Sequence, residues 1–562
     1  MLKKVFIAAL TGGCALNLLA TTATQFPEIK TNELLHSYQP GNNMVLPAPQ
    51  KISYNSQEFK VSALDTYQVK IAADNPDAER LRRAAERLLV QESNLPVAAG
   101  AENSRIQIEV ANDPALPENE EGYTVKIDAN QVVVRSRSAR GAFYGMQLLK
   151  ELRTASGFRG AEVTDWPVMT SRSILMMVDK DSADFHAGQI RDILAPMRFN
   201  QLIIEAEYVK WDATKDIHQD WGIEKDDLRK LIAFAKDNFM EVEPLLQTLG
   251  HCEWLFKDGK NLDMAEYPYT PYAYNVSHPG VYPLMTAIME EIVDVFQPTR
   301  LHIGHDEVAW GTPFPWRPEN IEKGGQKIFL DDVMFYYDFC KKNNLTMMMW
   351  QDMFHIYPDS DLANGVSYFD LHKVINEKLP HDIEICYWDY SPNIPKNNIR
   401  LLKEMGFPVI GCTWYDEENI SRFTSFMAEE NLPAMMVTTW AGYTNSYVMY
   451  ERDFVQAACY LKNGSWFWNP GEENNQYSAG KRLYDILRPA PLLHSGSGRM
   501  IDIAAVANLP MKDDAPLNMG ILGKHSGKGG MADFILPKKA GTAYAVAMKS
   551  SLNPDLPADA VT

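Results

Sequence analysis

Asp306 and Glu307 stand side by side after the run Leu301-His302-Ile303-Gly304-His305. Neighbouring residues on a strand point to opposite faces. A chain that turns at the strand's end can aim both carboxylates into one cleft. Two carboxyl groups so placed cannot both ionise freely, so one can be held protonated as an acid. Cleavage of a glycosidic bond near neutral pH needs such an acid. The same pair at the start of a helix would be an ordinary electrostatic cap. The flanking chain has to decide between the two.

That chain alternates short apolar runs with amphipathic stretches. The runs are Ile174–Val178, Leu202–Ile204, Val242–Leu246, Leu301–Ile303, Met347–Met349, Ile383–Cys386, Val409–Cys412 and Met435–Val437. Helical spacing recurs between most of them: 187–197, 225–238, 283–296, 328–343, 399–405 and 420–430. Eight such strands alternating with helices predict a (β/α)8 TIM barrel over residues 165–469. Most runs are continuously apolar, as strands buried on both faces must be. The Met347-Met348-Met349 stretch reads as core filling.

Barrel chemistry gathers at the C-terminal ends of the strands. In order those ends carry Asp179; Glu205 and Glu207; His251; Asp306 and Glu307; Trp350 and Asp352; Trp388 and Asp389; Trp414, Tyr415 and Asp416; and Trp440. Four tryptophans in register predict an aromatic pocket that stacks on a sugar or encloses a small apolar group.

Before the barrel, residues 46–160 read as a small α+β domain. Its strands are expected at 66–71, 105–110, 123–127 and 132–134, and its helices at 78–92 and 140–152. Residues 470–562 are rich in Gly, Pro, Lys and Asp and carry no legible fold. Strands at 501–506 and 544–548 would make them a β-module. Residues 1–23, with Lys3, Lys4, an apolar stretch and Ala20-Thr21-Thr22-Ala23, read as an export signal, so a periplasmic or secreted location is expected. Cys14 after Gly12-Gly13 is a candidate lipid-attachment site, although Thr11 stands where a leucine is usual. No other stretch of the 562 residues is long and apolar enough to span a bilayer.

Hydrophobic residues make up 46% and charged residues 23%, the balance of a soluble globular protein. A net charge of −19 without a basic face argues against nucleic acid as a partner. The six cysteines are widely spaced, which indicates neither a zinc site nor a disulfide framework. His251, His302 and the carboxylates lack a tight ligand spacing, so no metal or cofactor is implied. Nothing sets the oligomeric state.

Taken together these motifs resemble family 20 glycoside hydrolases, the β-N-acetylhexosaminidases, over roughly residues 46–469. His302-Ile303-Gly304-His305-Asp306-Glu307 matches the family's His-x-Gly-Gly-Asp-Glu, with His305 in place of the second glycine. His251 matches the strand-three histidine, Arg172 the sugar-binding arginine, and Trp350, Trp388 and Trp440 the pocket tryptophans. Arg140 to Gly145 looks like the helix that closes the family's N-terminal domain. Three positions depart from the pattern. Gly442 stands where a glutamate usually meets the distal sugar hydroxyls. Strand seven offers both Trp414-x-Asp416 and Tyr415-x-Glu417 for the usual Tyr-x-Asp. Strand two ends in Glu205 and Glu207, not in aspartates. These departures look more like the hexosaminidase D branch.

The resemblance implies an oligosaccharide or glycoconjugate substrate and a retaining mechanism in which the substrate's own acetamido oxygen attacks, giving an oxazolinium. Glu307 would be the acid and then the base. Asp306 would accept the acetamido N–H. The three tryptophans would wall the acetamido group, and Tyr415, or else Tyr443, would donate to its oxygen. Arg172 would hold ring hydroxyls, and Asp352 would line the same pocket. His251 would partner Glu307 with Glu207 behind it, and His302 would give structural support. Loss of the glutamate at Gly442 predicts tolerance of, or preference for, N-acetylgalactosamine over N-acetylglucosamine, unless Asp389, Asp416 or Glu417 fills the space. Two other readings stay open: a glycosidase pairing Glu307 with Asp352 or Asp389, and a non-catalytic carbohydrate-binding barrel.

Overall fold

The computed structural model describes residues 45–354 (apart from 94, 101–102, 155 and 311), 378–440 and 454–470, and beyond these only short strands. By contacts the chain divides into two units: Gly41–Thr438 with Gln456–Ile486, and Met1–Pro40 with Thr439–Val455 and Leu487–Thr562. The first carries both the small domain and the barrel strands.

Its N-terminal part is a seven-stranded mixed sheet ordered β1-β7-β5-β6-β4-β2-β3. The strands are β1 (Lys51–Lys60), β2 (Thr66–Lys70), β3 (Ala98–Ala99), β4 (Ile106–Val110), β5 (Tyr123–Ile127), β6 (Val132–Ser136) and β7 (Gly157–Asp165). Helix α1 (Ala78–Glu86) buries Leu81, Ala84 and Ala85, and a wider turn carries it on to Glu92. Helix α2 (Ala139–Glu151) starts where Ser138 caps Gly141 N at 3.0 Å, and it packs with α1 over the sheet. Strands β1 and β7 are not legible in the sequence, because β1 is mostly polar and exposed and β7 mixes glycine and alanine with charged residues. β7 runs on to Asp165, across the boundary expected at residue 160.

The barrel closes through eight parallel strands. These are β8 (Ser171–Met176), β9 (Gln201–Glu205), β10 (Glu241–Thr248), β11 (Arg300–Gly304), β12 (Thr346–Trp350), β13 (Glu384–Trp388), β14 (Val409–Thr413) and β15 (Ala434–Val437). Each expected apolar run falls on one of them. The outer helices are α3 (Ser182–Gln189), α4 (Lys225–Asp237), α5 (Val281–Phe296), α6 (Pro318–Lys323), α7 (Gly325–Lys342), α8 (Lys396–Glu404), α9 (Glu417–Glu429) and α10 (Phe454–Trp468). The first expected helix, 187–197, lies further N-terminal: α3 begins at Ser182 and a wider turn continues it to Leu194.

The β10–β11 ladder shifts register between Leu245↔His302 and Thr248↔Gly304. Such an irregularity re-aims the side chains beyond it, and here the site begins directly beyond it. Cys252, Cys340, Cys386, Cys412 and Cys459 are all buried and free. No helix among the described residues is long and apolar enough to cross a membrane. Past the barrel, β16 (Leu493–His494) pairs with β17 (Met500–Ile501), and β18 (Ala532–Lys539) with β19 (Thr542–Met548), both antiparallel. The expected strand 544–548 falls within β19. Residues 1–44, with Cys14 and the expected signal, lie outside the described residues.

Candidate active site

At the mouth of β11 the backbone is wound left-handed three times in four residues: Gly304 at φ 70°, His305 at 69° and Glu307 at 45°. Only glycine enters that region freely. Each of the others costs about 1–2 kcal/mol, which neighbouring contacts must offset. A Cβ on Gly304 would also collide with the Gln247 side chain. His305 is held through Nδ1 to Thr248 Oγ1 at 2.7 Å, and its Nε2 lies 3.0 Å from Asp332 Oδ2. Asp332, fully buried on α7, also accepts from the Tyr274 hydroxyl at 2.7 Å. Glu307 N donates to Asp352 Oδ2 at 2.7 Å, and Trp310 N donates to Glu307 O at 2.7 Å. The strained turn is thereby held from three sides, which aims Asp306 and Glu307 out of the strand's mouth.

A second strained turn faces it from β10, with Leu249 at φ 62° and His251 at 51°. Gly250 between them lets the chains approach, since a Cβ there would sit 2.6 Å from Asp306 O. The two turns bring His251 Nε2 to 3.4 Å from Asp306 Oδ2 and 3.3 Å from Glu307 Oε2. Burial by itself lowers the imidazole's pKa. The Asp306 charge and the bonds to both carboxylates outweigh burial and hold the pKa well above the ordinary value. His251 is therefore a cation clasped by the pair. Asp306 Oδ1 is buried and has no hydrogen-bond partner among the described residues.

Three more carboxyls crowd this centre. Burial, reinforced by the Asp306 charge, pushes Asp352 well above the usual carboxylate range. Burial raises Glu205 to about 7, with His251 opposing and Asp306 adding. Burial and then Glu205 raise Glu207, whose Oε1 accepts from Gln247 N. These three groups lean towards their neutral forms. Burial likewise lowers His302 to about 3, so it is neutral, and its Nδ1 accepts from Gly304 N at 3.0 Å.

The donor atoms of His251, Asp306 and Glu307 all lie within 4.8 Å of one another, so these three could in principle ligate a cation. A metal needs the imidazole neutral, whereas the field here favours its protonated form. The donor set fits an ionic hydrogen-bonded triad better than a metal centre.

Aromatic rings line the rest. Trp350, fully buried, packs on His302 with ring centres 4.3 Å apart. Trp388 stacks on Tyr390 at 5.6 Å, Tyr390 meets Trp414 at 5.5 Å, and Trp414 meets Tyr415 at 4.3 Å. Gln351 ties the mouths of β12 and β13 together by bonds of 2.8 Å to both Trp388 N and Trp388 O.

The structure brings together Asp306, Glu307, His251 and Asp352, with Glu207 and His302 behind them. Trp350, Trp388 and Tyr415 lie at the same end of the barrel. Asp352 acts on Glu307's backbone, a role its sequence position did not suggest. Trp440 lies three residues past β15 and belongs to the second unit, while Gly442 and Tyr443 lie outside the described residues.

Arg172 is a correction. It is the second residue of β8, at the opposite end of the barrel from Asp306. Its guanidinium is fully buried against Glu121 Oε2 at 2.6 Å, Arg198 O at 2.7 Å and Met169 O at 2.6 Å. With its donors spent on the N-terminal domain, it cannot reach a sugar at the mouth. The motif match was real in letters, but it fell at the wrong end of the strand.

Sequence reasoning missed Tyr272, Trp310, Thr248 and Asp332. Tyr272 lies in a long loop without periodicity, and Asp332 is on an outer helix. Trp310, three residues after Glu307, was the one legible clue.

Comparison with known proteins agrees with this geometry. Residues 42–166 match domain 2 of glycosyl hydrolase family 20, and residues 206–459 match that family's catalytic domain. The beta-hexosaminidase of Porphyromonas gingivalis is 25% identical over 350 residues, which is 52% of this chain and 42% of that protein. Bovine hexosaminidase D is 23% identical over 34% of this chain and 52% of its own length. The chain thus spans about half or less of these two relatives. Among solved structures, the chitobiase of Flavobacterium johnsoniae superposes with a TM-score of 0.63 at 14% identity, covering 80% of this chain and 72% of that one, a likeness of fold. With a strained Asp-Glu turn at the mouth of a (β/α)8 barrel, and the family's two domains matched in order over more than half its length, this chain belongs to glycosyl hydrolase family 20.

Proposed function

We propose that the chain is an exo-acting β-N-acetylhexosaminidase that works through the substrate's own acetamido group. One observation carries this reading. Asp306 gives Oδ2 to a cationic His251 and leaves Oδ1 buried and unpartnered. An unpartnered buried carboxylate oxygen is costly, and an acetamido N–H is a donor of the right kind to satisfy it. Asp306 would then orient the acetamido oxygen for attack and stabilise the charge that develops. Glu307, partly exposed beside it, would protonate the leaving oxygen and later take a proton from water. Its backbone is fixed by Asp352, so the two act as one turn.

The two-carboxylate alternative loses support. Asp352 is committed to Glu307 N, and Asp389 Oδ1 accepts from Ser391 N and Oγ, both at 2.8 Å. The rivals for the space at Gly442 are likewise occupied. Asp416 caps α9 through Asn419 N at 2.7 Å, and Glu417 pairs with Lys462 at 2.5 Å. This supports tolerance of an axial 4-hydroxyl, since each of these three carboxylates already has a partner of its own among the described residues. The enzyme would act outside the cytoplasm if residues 1–23 direct export. The test of the reaction is turnover of aryl β-N-acetylhexosaminides and inhibition by a thiazoline analogue of the oxazolinium. Turnover without thiazoline inhibition would remove the acetamido group from the mechanism. The test of the sugar is kcat/KM on the gluco and galacto epimers, where a tenfold gluco advantage would exclude the proposed tolerance.

A further inference from the structure

His305 stands between Gly304 and the acid pair, where the family's motif has its second glycine. Glycine would adopt its φ of 69° freely, whereas histidine does so at a cost. The side chain is fully buried, and α7 presents a socket for it. Phe329, Asp332 and Tyr336 recur at spacings of three and four, so they share one face of that helix, and all three are buried. The Phe329 ring lies 5.5 Å from the imidazole and the Tyr336 ring 5.7 Å, both edge-on. Asp332 brings Oδ2 to 3.0 Å from Nε2. The Tyr274 hydroxyl closes the socket from the loop after β10. It donates to Asp332 Oδ2 at 2.7 Å and lies 2.8 Å from the Tyr336 hydroxyl.

The other ring nitrogen reaches β10. Thr248 Oγ1 donates to Ile303 O. A hydroxyl has one proton to give, so Thr248 accepts from His305 Nδ1–H at 2.7 Å. Thr248 ends β10, and the chain runs from it straight into the second strained turn, which carries His251. The imidazole therefore bridges the two turns and fastens both to α7. The same two turns meet again where His251 Nε2 lies 3.4 Å from Asp306 Oδ2 and 3.3 Å from Glu307 Oε2. One bridge is buried and rigid, and the other is made by the reacting groups. The length of the first limits the reach of the second.

We propose that His305 is a positioning residue: seated in the α7 socket and tied to Thr248, it sets the spacing between His251 and the Asp306–Glu307 pair. Being fully buried, it acts through those residues and does not meet the sugar. Its effect on rate rests on the reading of Asp306 and Glu307 as the reacting groups. The spacing itself does not depend on that reading.

Two variants test it. His305→Gly removes the ring and relieves the backbone. Asp332→Asn keeps the shape of the socket and removes its charge, and it decides alone if His305→Gly does not fold. Each is expected to lower kcat per folded molecule on aryl β-N-acetylhexosaminides by about tenfold or more, because small displacements of reacting groups cost rate steeply. KM should change by less than about twofold. The double variant should lose little more than the worse single one, since both changes break one device. The ring 1H–15N signals of His251, assigned against His251→Gln protein, report the spacing directly and should move in both variants. A packing role alone would lower the unfolding midpoint and leave kcat per folded molecule and those signals at wild-type values, which overturns the proposal. In an active enzyme, a loss of rate with the His251 signals unmoved, or moved signals without a loss of rate, overturns it too. If the wild type turns over no N-acetylhexosaminide while Asp332→Asn moves the His251 signals, the function reading fails and the positioning of His251 stands.

Discussion

The two ends of the barrel treat buried charge in opposite ways. At the N-terminal end of the strands, Arg172 and Arg198 lie against the Trp468 ring at 5.1 Å and 5.0 Å. Arg172 meets Glu121 at 2.6 Å, and Asp165 accepts from Tyr123 Oη at 2.5 Å, Trp468 Nε1 at 2.9 Å and Gln50 N at 2.9 Å. Glu243 on β10 takes Thr299 N, Thr299 Oγ1 and Arg300 N within 2.9 Å. Charges there are compensated, and the result is a seam joining the small domain to the barrel. At the C-terminal end, Glu205, Glu207, Asp306 and Asp352 are buried beside the partly exposed Glu307, and His251 is paired with Asp306 and Glu307. Buried carboxylates in such excess, on a backbone wound through positive φ, work against stability. The comparison teaches where the fold gives up stability to hold reactive groups in place, a mark of function that carries over to other barrels.

The largest effect should come from Glu307→Gln. Turnover of a natural glycan, whose leaving oxygen is basic, is expected to fall by about 10³–10⁴. An activated aryl glycoside should lose much less. Equal losses on both would show that Glu307 is not the acid.

The other end should respond differently. Arg172→Met leaves Glu121 buried opposite a neutral side chain, which costs about 3–5 kcal/mol for a broken buried pair. The midpoint of thermal unfolding should drop by several degrees, while kcat per folded molecule and KM stay near wild type. A raised KM with unchanged unfolding would return Arg172 to the sugar site.

Asp306→Asn should lower kcat by about 10²–10³, the size of one preorganised electrostatic contact to a charged transition state. KM should change far less. A change confined to KM would take Asp306 out of the chemistry.

The smallest effect concerns pH. Burial holds Glu205 near 7 against an ordinary value of 4.5. Below 4.5 the carboxyl is neutral in both folded and unfolded chains. Between 4.5 and about 7 only the unfolded chain ionises, so stability falls as pH rises through that window. The loss, up to about 3 kcal/mol for a shift of this size, is complete above the window. Glu205→Gln should therefore raise the unfolding midpoint more at about pH 8 than at about pH 4. An equal change at both would mean that Glu205 ionises freely in the fold.

The barrel was legible because most of its strand runs are continuously apolar and most are followed by a helix with its own period. Strands β1 and β7 were not, because their outward residues are charged and β7 opens on glycine. Asp306, Glu307 and His251 were legible as a motif. Their strain was not, since positive φ at His305 and Glu307 leaves no mark on a non-glycine residue. Arg172 shows the limit of motif matching: the letters fit, but position along the strand decides which end of the barrel a side chain serves. Tyr272 and Asp332 reach the site through tertiary contacts alone, which no local pattern records.

The central claim is that the substrate's acetamido oxygen, steered by Asp306, is the nucleophile. Progressive fluorination of the N-acetyl methyl group weakens that oxygen and leaves protein carboxylates unchanged. On aryl glycosides with one leaving group, kcat/KM should fall steeply with each added fluorine, by more than a hundredfold from acetyl to trifluoroacetyl. A flat series would contradict the account and return the attack to a protein carboxylate.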